Sequence, residues 1–247
     1  MNIIFRSVIL SIGLLLLWQA IVSLFQLPPY ILPAPLQVLK SAYLHRALIA
    51  NHAIHTIIET LLGFFFAIVF GCSTAILMAY FRFAKQWFLP ILLISQALPT
   101  FAIAPILVIW LGYGTASKVI TTIIMLFFPI TSSFFDGLRR TESGWLDLAK
   151  TMHAKKWRTY WYICIPAALP SLASGLRVAA SIAPIGAVVG EWVGASHGLG
   201  YLMLNANARM QIDLMFAALF TIILFSLLLY FVTDKLLRSS LRLSFRN

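Results

Sequence analysis

Long apolar runs constrain this chain more than any single residue does. A helix needs roughly 20 apolar residues to cross the hydrocarbon core of a bilayer. Six stretches approach that length: about Ser7–Phe25, Thr56–Tyr80, Phe88–Leu111, Lys118–Phe135, Ala167–Val193 and Leu214–Val232. The chain is 61% hydrophobic and 10% charged, with a mean hydropathy of +0.94. A soluble domain carries about 25% charge. An all-α, polytopic membrane protein with about six transmembrane helices follows. One membrane domain, residues 1–247, accounts for the length.

Four prolines fall within these runs, Pro99, Pro105, Pro129 and Pro184. Proline is tolerated in a span when neighbouring helices or water satisfy the freed carbonyls. Simple kinks and broken helices lining a pathway are both open readings. The basic residues set the orientation. With the N-terminus inside, the inner segments hold Arg6, Arg82, Lys85, Arg139, Arg140, Lys150, Lys155, Lys156, Arg158, Lys235, Arg238, Arg242 and Arg246. The outer segments hold only Lys40, Arg46, Lys118 and Arg209. Both termini are therefore expected on the cytoplasmic side. The net charge of +11 reflects this asymmetry and attraction to anionic lipid headgroups. No basic run is joined to a soluble fold, so nucleic acid is not an expected partner. The first apolar stretch is long and no A-x-A-like site follows it, so it reads as a retained anchor and not a cleaved signal. Cys72 and Cys164 have no partner at metal-ligand spacing and read as small buried apolar residues. No metal, cofactor or catalytic residue is expected.

The longest polar segment on the inner side runs from Gly137 to Ile165. It contains a short helical run, Leu146 to Met152, which Ser143 could cap, with an acidic group favourable to the helix dipole in its first turn. A second amphipathic run, Lys155 to Tyr162, mixes Lys155, Lys156 and Arg158 with Trp157, Tyr160, Trp161 and Tyr162. That mixture suits a headgroup layer. Pro166 then allows a turn into the fifth span. Composition alone gives an ordinary interfacial loop.

The spacing within the loop adds a resemblance. Asp147-Leu148-Ala149, His153 and Ile163-Cys164-Ile165-Pro166 follow the pattern E-A-A-x(3)-G-x(9)-I-x-L-P. The segment resembles the cytoplasmic coupling loop in the membrane subunits of bacterial ABC importers. The likeness extends along the chain. Leu32-Pro33-Ala34-Pro35 with Val38, Ala97-Leu98-Pro99-Thr100 through Pro105, and Trp110-Leu111-Gly112-Tyr113-Gly114 are similar to segments of the nitrate, sulfonate, taurine and thiamine-precursor permeases. So are Gly175-Leu176-Arg177, Gly190-Glu191-Trp192 and Gly198-Leu199-Gly200-Tyr201-Leu202. The run from Gly200 to Asp213 looks most like permeases for pyrimidine precursors of thiamine.

This resemblance implies a permease subunit of the bacterial inner membrane with no nucleotide site, consistent with the lack of a G-x(4)-G-K-[ST] sequence. It implies a separate ATPase, a periplasmic or lipid-anchored solute-binding protein, and a second copy of the chain. The implied coupling loop is about residues 137–166, centred on Asp147, Leu148, Ala149, Met152, His153, Ala154 and Pro166. His153 departs from the motif glycine, which usually supplies a turn because it accepts positive φ. The turn is then either built differently or held left-handed at a cost on the order of 1 kcal/mol.

Buried charge is costly in a span unless paired or facing water. Glu191, among small residues near the outer end of the fifth span, reads either as a pathway residue or as one half of an ion pair with Arg177 or Arg209. Gly190 and Pro99 are further pathway candidates. Arg177, also a pathway candidate, reads as snorkelling or anchoring helix packing. His52, His55 and Glu59 share helical spacing and could hold a metal, but a solvated helix face is the expectation. Asn205, Asn207, Arg209 and Asp213 are expected to make outer polar contacts. A stand-alone secondary transporter would need coupling-ion sites and often a repeat. A membrane enzyme would need a nucleophile and base at depth. Neither pattern is evident.

Overall fold

The computed structural model describes residues 3–244. Of the basic residues assigned to the inner side, Arg246 lies outside the described residues, as do the side chains of Arg6 and Arg242. The described chain is all-helical: α1 (Ile3–Leu24), α2 (Pro35–Leu44), α3 (Arg46–Tyr80), α4 (Arg82–Ala97), α5 (Thr100–Leu111), α6 (Thr115–Arg139), α7 (Ser143–Thr151), α8 (Lys156–Thr159), α9 (Ile165–Gly194), α10 (Leu199–Ala208) and α11 (Ile212–Ser244). A π-helical turn, Tyr160–Cys164, joins α8 to α9.

Among the described residues, four stretches are long and apolar enough to cross a membrane: Arg46–Tyr80, Thr115–Arg139, Lys156–Gly194 and Ile212–Ser240. The pair α4–α5, bent by 105°, adds a fifth if taken as one span. The first of the six expected spans falls on α1, Ile3–Leu24, whose described apolar part is Ile12–Leu24. The third is divided in two. Leu98 is extended (φ −75°, ψ 122°) and Pro99 caps α5. A residue before proline is pushed out of the helical region, so at Pro99 the span is broken and not simply kinked. The other three prolines behave differently. Pro105, Pro129 and Pro184 lie inside continuous helices.

Helix α6 is packed between α3 and α9. Lipid gives apolar helices little reason to associate, so close backbone approach must supply the attraction. Two glycines show how. A Cβ at Gly175 of α9 would lie 2.7 Å from the Pro129 carbonyl oxygen, and one at Gly63 of α3 would lie 2.5 Å from Thr122 Cβ. Any larger residue would push these helices apart. Cys164 is buried in a cluster with Met78, Phe134 and Ala168, and Cys72 packs half-buried beside it.

Arg177 on α9 is bridged to Asp234 on α11 (Nε–Oδ1 2.6 Å), and Arg238 reaches the other oxygen of Asp234 at 2.8 Å. The pair joins two helices at a half-buried position.

Candidate functional site

Two polar features stand at opposite ends of α3. Tyr80 and Thr56 are separated by about 36 Å along the helix.

At the Tyr80 end, α7 forms a short knob. Its capping differs from the sequence expectation: Glu142 occupies the N-cap, Ser143 is the first helical residue, no side chain caps the helix, and no acid lies in its first turn. The C-terminus is closed by its own backbone. Ala154 N–H donates to the Ala149 carbonyl and His153 N–H to the Lys150 carbonyl, each at 2.9 Å. These two bonds form a Schellman motif, which needs a left-handed residue between them. His153 takes that place with φ +51°. The turn that glycine commonly makes is therefore made by histidine. A His153→Gly exchange is expected to stabilise the turn by about 1 kcal/mol, read as slower hydrogen exchange at the Ala154 amide.

Ala149 is buried within the knob, and Asp147 pairs with Lys150 at 2.8 Å on its exposed side. Trp145, Leu148 and Met152 project outward, 55%, 50% and 72% exposed. Their spacing places them on one helical face. A shallow cavity of about 410 Å³ adjoins them, lined in part by Leu148, Met152, His153, Arg158 and Tyr162.

The knob is fastened to the bundle through the next segment. Lys156 Nζ donates to the Tyr80 carbonyl at 2.7 Å and lies 4.5 Å from the centre of the Tyr80 ring. Tyr160 donates its hydroxyl to the Ala79 carbonyl. The chain does not turn at Pro166, as the sequence suggested. It runs without a break from Lys156 to Gly194, and Pro166 sits in the first turn of α9. Proline removes one helical N–H and crowds the carbonyl four residues back. The wider π turn just before it, with Ile165 N–H donating to the Tyr160 carbonyl, accommodates that crowding.

At the Thr56 end, Glu191 on α9 is 1% exposed. It pairs with neither Arg177 nor Arg209. Oε1 accepts from the Thr56 hydroxyl at 2.6 Å, and Oε2 accepts from Gly200 N–H at 2.6 Å. Thr56 Oγ1 in turn accepts from Leu199 N–H at 2.8 Å, and His52 Nδ1 accepts from Gly198 N–H at 3.1 Å. The solvated helix face expected at His52, His55 and Glu59 is found only at His55. His52 and Glu59 are buried, and the start of α10 folds over His52. Among the described residues no group of His, Cys, Asp or Glu is placed to hold a metal ion. Lys118, assigned by sequence to the outer segments, is also buried, and its Nζ donates to the Tyr113 and Gly114 carbonyls at 2.7 and 3.0 Å.

Glu191, Tyr113, Trp192, Tyr201 and Asn205 help to line a cavity of about 400 Å³ at this end. Gly190 is covered by α6; a Cβ there would lie 2.9 Å from Lys118 Cα. Pro99 is exposed at the α4–α5 bend. Asn205 Nδ2 donates within α10 to the Tyr201 carbonyl, and Asn207 and Arg209 are exposed. Nothing local to Thr56 and His52 indicates that they cap a helix far along the chain. The only available signal was a run of polar residues at helical spacing in an apolar helix.

The fold is that of a multi-pass helical membrane protein with one bent helix pair and one fastened knob. The chain belongs to the binding-protein-dependent transport system inner membrane component family, whose model matches residues 63–240; it is an ABC importer permease. It is 51% identical over 224 residues to a "Probable ABC transporter permease protein" of Haemophilus influenzae, covering 91% of both chains. It is 37% identical over 209 residues to the formylaminopyrimidine transport permease protein ThiX of Halalkalibacterium halodurans, covering 84% of each. Relatives of lower identity carry riboflavin, taurine and aliphatic sulfonate transport names. The fold is similar to that of a chain of the MetNI methionine ABC transporter, with a TM-score of 0.65 and 18% identity over 78% of this chain and 95% of that one. Permeases of this kind are transport components, and ATP hydrolysis lies in a partner chain.

Proposed function

We propose that the α7 knob is the element through which a separate ATPase drives this permease, and that the solute is a small polar organic molecule of the thiamine-pyrimidine-precursor class. The observation that carries the coupling role is the knob itself: a short helix closed by a left-handed histidine, with three large apolar side chains exposed on one face. A coupling element must be stiff enough to transmit a rigid-body movement. The Schellman closure and the anchorage to Tyr80 and Ala79 supply that stiffness. The substrate reading is supported by the likeness to ThiX, with sulfonate or taurine as the alternative class.

In this reading two copies enclose one pathway in a bacterial inner membrane, and each knob seats on one ATPase subunit. A solute-binding protein delivers ligand to the end that carries α10. The cavity lined by Tyr113, Glu191, Trp192 and Tyr201 is the outer mouth of the pathway, and the α4–α5 bend at Pro99 is a second wall element. Gly190 and Arg177 are engaged in helix packing and shape the pathway without lining it.

Gentle solubilisation of the tagged chain from native membranes tests this. An ATPase and a solute-binding protein are expected to co-purify. Proteoliposomes holding the whole assembly are expected to take up labelled formylaminopyrimidine only with ATP inside. Uptake driven by an ion gradient with this chain alone would overturn the coupling role. Uptake of taurine in place of the pyrimidine would overturn the substrate reading only.

A further inference from the structure

The start of α10 is capped in an unusual way. Its first N–H groups have no partner within their own helix, and the N-cap residue, Gly198, has no side chain to offer. Three groups from other helices take the role instead. His52 and Thr56 of α3 accept from Gly198 and Leu199, and Glu191 of α9 accepts from Gly200. Thr56 also donates to Glu191, so the two acceptors are themselves joined. Both Glu191 oxygens are therefore occupied by protein donors. A carboxylate at a helix N-terminus is also favoured by the helix dipole. The backbone has been shaped around this carboxylate: a Cβ at Gly198 would fall on it, and one at Gly200 would lie 2.9 Å from Oε2.

This arrangement has a consequence for the cavity. One wall is the end of α9, with Trp192 and Val193. The facing wall is α10, with Tyr201, Leu204, Asn205 and Ala208. Among the described residues, the polar bonds that hold the first turn of α10 in place are these capping contacts. A further lining residue, Tyr113, is fixed through its carbonyl by buried Lys118. A buried acid and a buried base thus each set one part of the cavity.

We propose that Glu191 is a positioning residue for transport: it fastens α10 to α3 and α9 and so holds one wall of the outer mouth, without itself binding the solute. This rests on the reading of the cavity as the outer mouth. A glutamine can replace a latch but not a charged ligand. Its oxygen can accept from Gly200 N–H while its NH₂ donates to Thr56 Oγ1, which reverses one bond and keeps both.

The test uses the complete assembly with its ATPase and binding protein. His55 and His197, whose rings lie 4.9 Å apart across the α3–α10 junction, are replaced as His55→Cys and His197→Cys. A short bismaleimide then reports whether the junction is closed. In that background, Glu191→Ala is expected to slow crosslinking and to lower binding-protein stimulation of ATP hydrolysis by roughly tenfold, the loss of one buried charged hydrogen bond. Glu191→Gln is expected to stay within about twofold on both readouts. Completing the crosslink in the Glu191→Ala chain is expected to restore stimulation.

Should Glu191→Ala fail to assemble, Thr56→Val removes the two bonds that Thr56 makes in the junction, to Glu191 Oε1 and from Leu199 N–H, and leaves the carboxylate in place. Crosslinking unaffected by either variant would overturn the latch. Glu191→Gln as defective as Glu191→Ala with normal crosslinking would show that the charge acts on solute, and would also overturn it. The mouth reading fails separately, if Trp192→Ala and Tyr201→Ala leave stimulation intact. None of these readouts depends on the identity of the solute.

Discussion

Replacing Leu148 and Met152 together by glutamate is expected to abolish recovery of the ATPase with this chain while leaving the permease folded. Both side chains lie on the outward face of α7, 50% and 72% exposed, so neither supports the bundle. Exposed substitutions away from structural features usually stay within about 0.5 kcal/mol of neutral. At an interface the same residues are anchors. Burying a Leu or Met side chain contributes about 1.5–3 kcal/mol, so losing two removes about 3–6 kcal/mol. That corresponds to a drop in affinity of roughly 10²- to 10⁴-fold. Burying two unpaired carboxylates at the interface adds to the penalty. The measurement is the ratio of ATPase to permease after purification, with the melting temperature of the permease as control. An unchanged ratio would remove the knob from the coupling role.

Much of the bundle was legible because its causes are local. Runs of apolar residues at span length identified α3, α6, α9 and α11. Kink and broken helix were both open at four prolines, and of these Pro99 breaks its span, because proline restricts the residue before it. His153 was legible for a similar reason. A glycine position filled by histidine allows few outcomes, and the structure adopts the left-handed one. Distant partners were less legible. Glu191 was read as facing a pathway or a cation, since nothing nearby in sequence could satisfy it. Its donors are Thr56, 135 residues earlier, and a backbone amide in the next connection. Lys118 was placed in an outer segment and Glu59 on a solvated helix face because both sit near span ends, yet both are buried, Lys118 against Gly190 of α9 and the α5–α6 turn. Pro166 misled for another reason. A proline after an aromatic run suggests a turn, but a π turn just upstream absorbs the crowding and the helix continues.

A Gly198→Ala exchange carries the largest expected cost at the end that carries α10. Gly198 has φ +113° and ψ 160°, a region occupied almost only by glycine, and holding another residue there costs about 1–3 kcal/mol. The added methyl group would also fall on the Glu191 carboxylate. Moving that carboxylate breaks one hydrogen bond to a charged group, which contributes about 1.5–3 kcal/mol. The combined loss is about 3–6 kcal/mol, which for a chain of this size lowers the apparent melting temperature by about 6 °C or more. Gly144→Ala is the matched control. Gly144 lies inside α7 with nothing within 4 Å of the added atom, so the same chemical change there is neutral or stabilising by up to about 1 kcal/mol. Thermal unfolding of both variants in one detergent separates the two outcomes. If Gly198→Ala melts with the parent chain, the α10 start can open without cost, and the junction of Glu191, Thr56 and His52 holds nothing in place. A large loss confined to Gly198→Ala would instead identify that junction as the fixed point about which the outer connection is built.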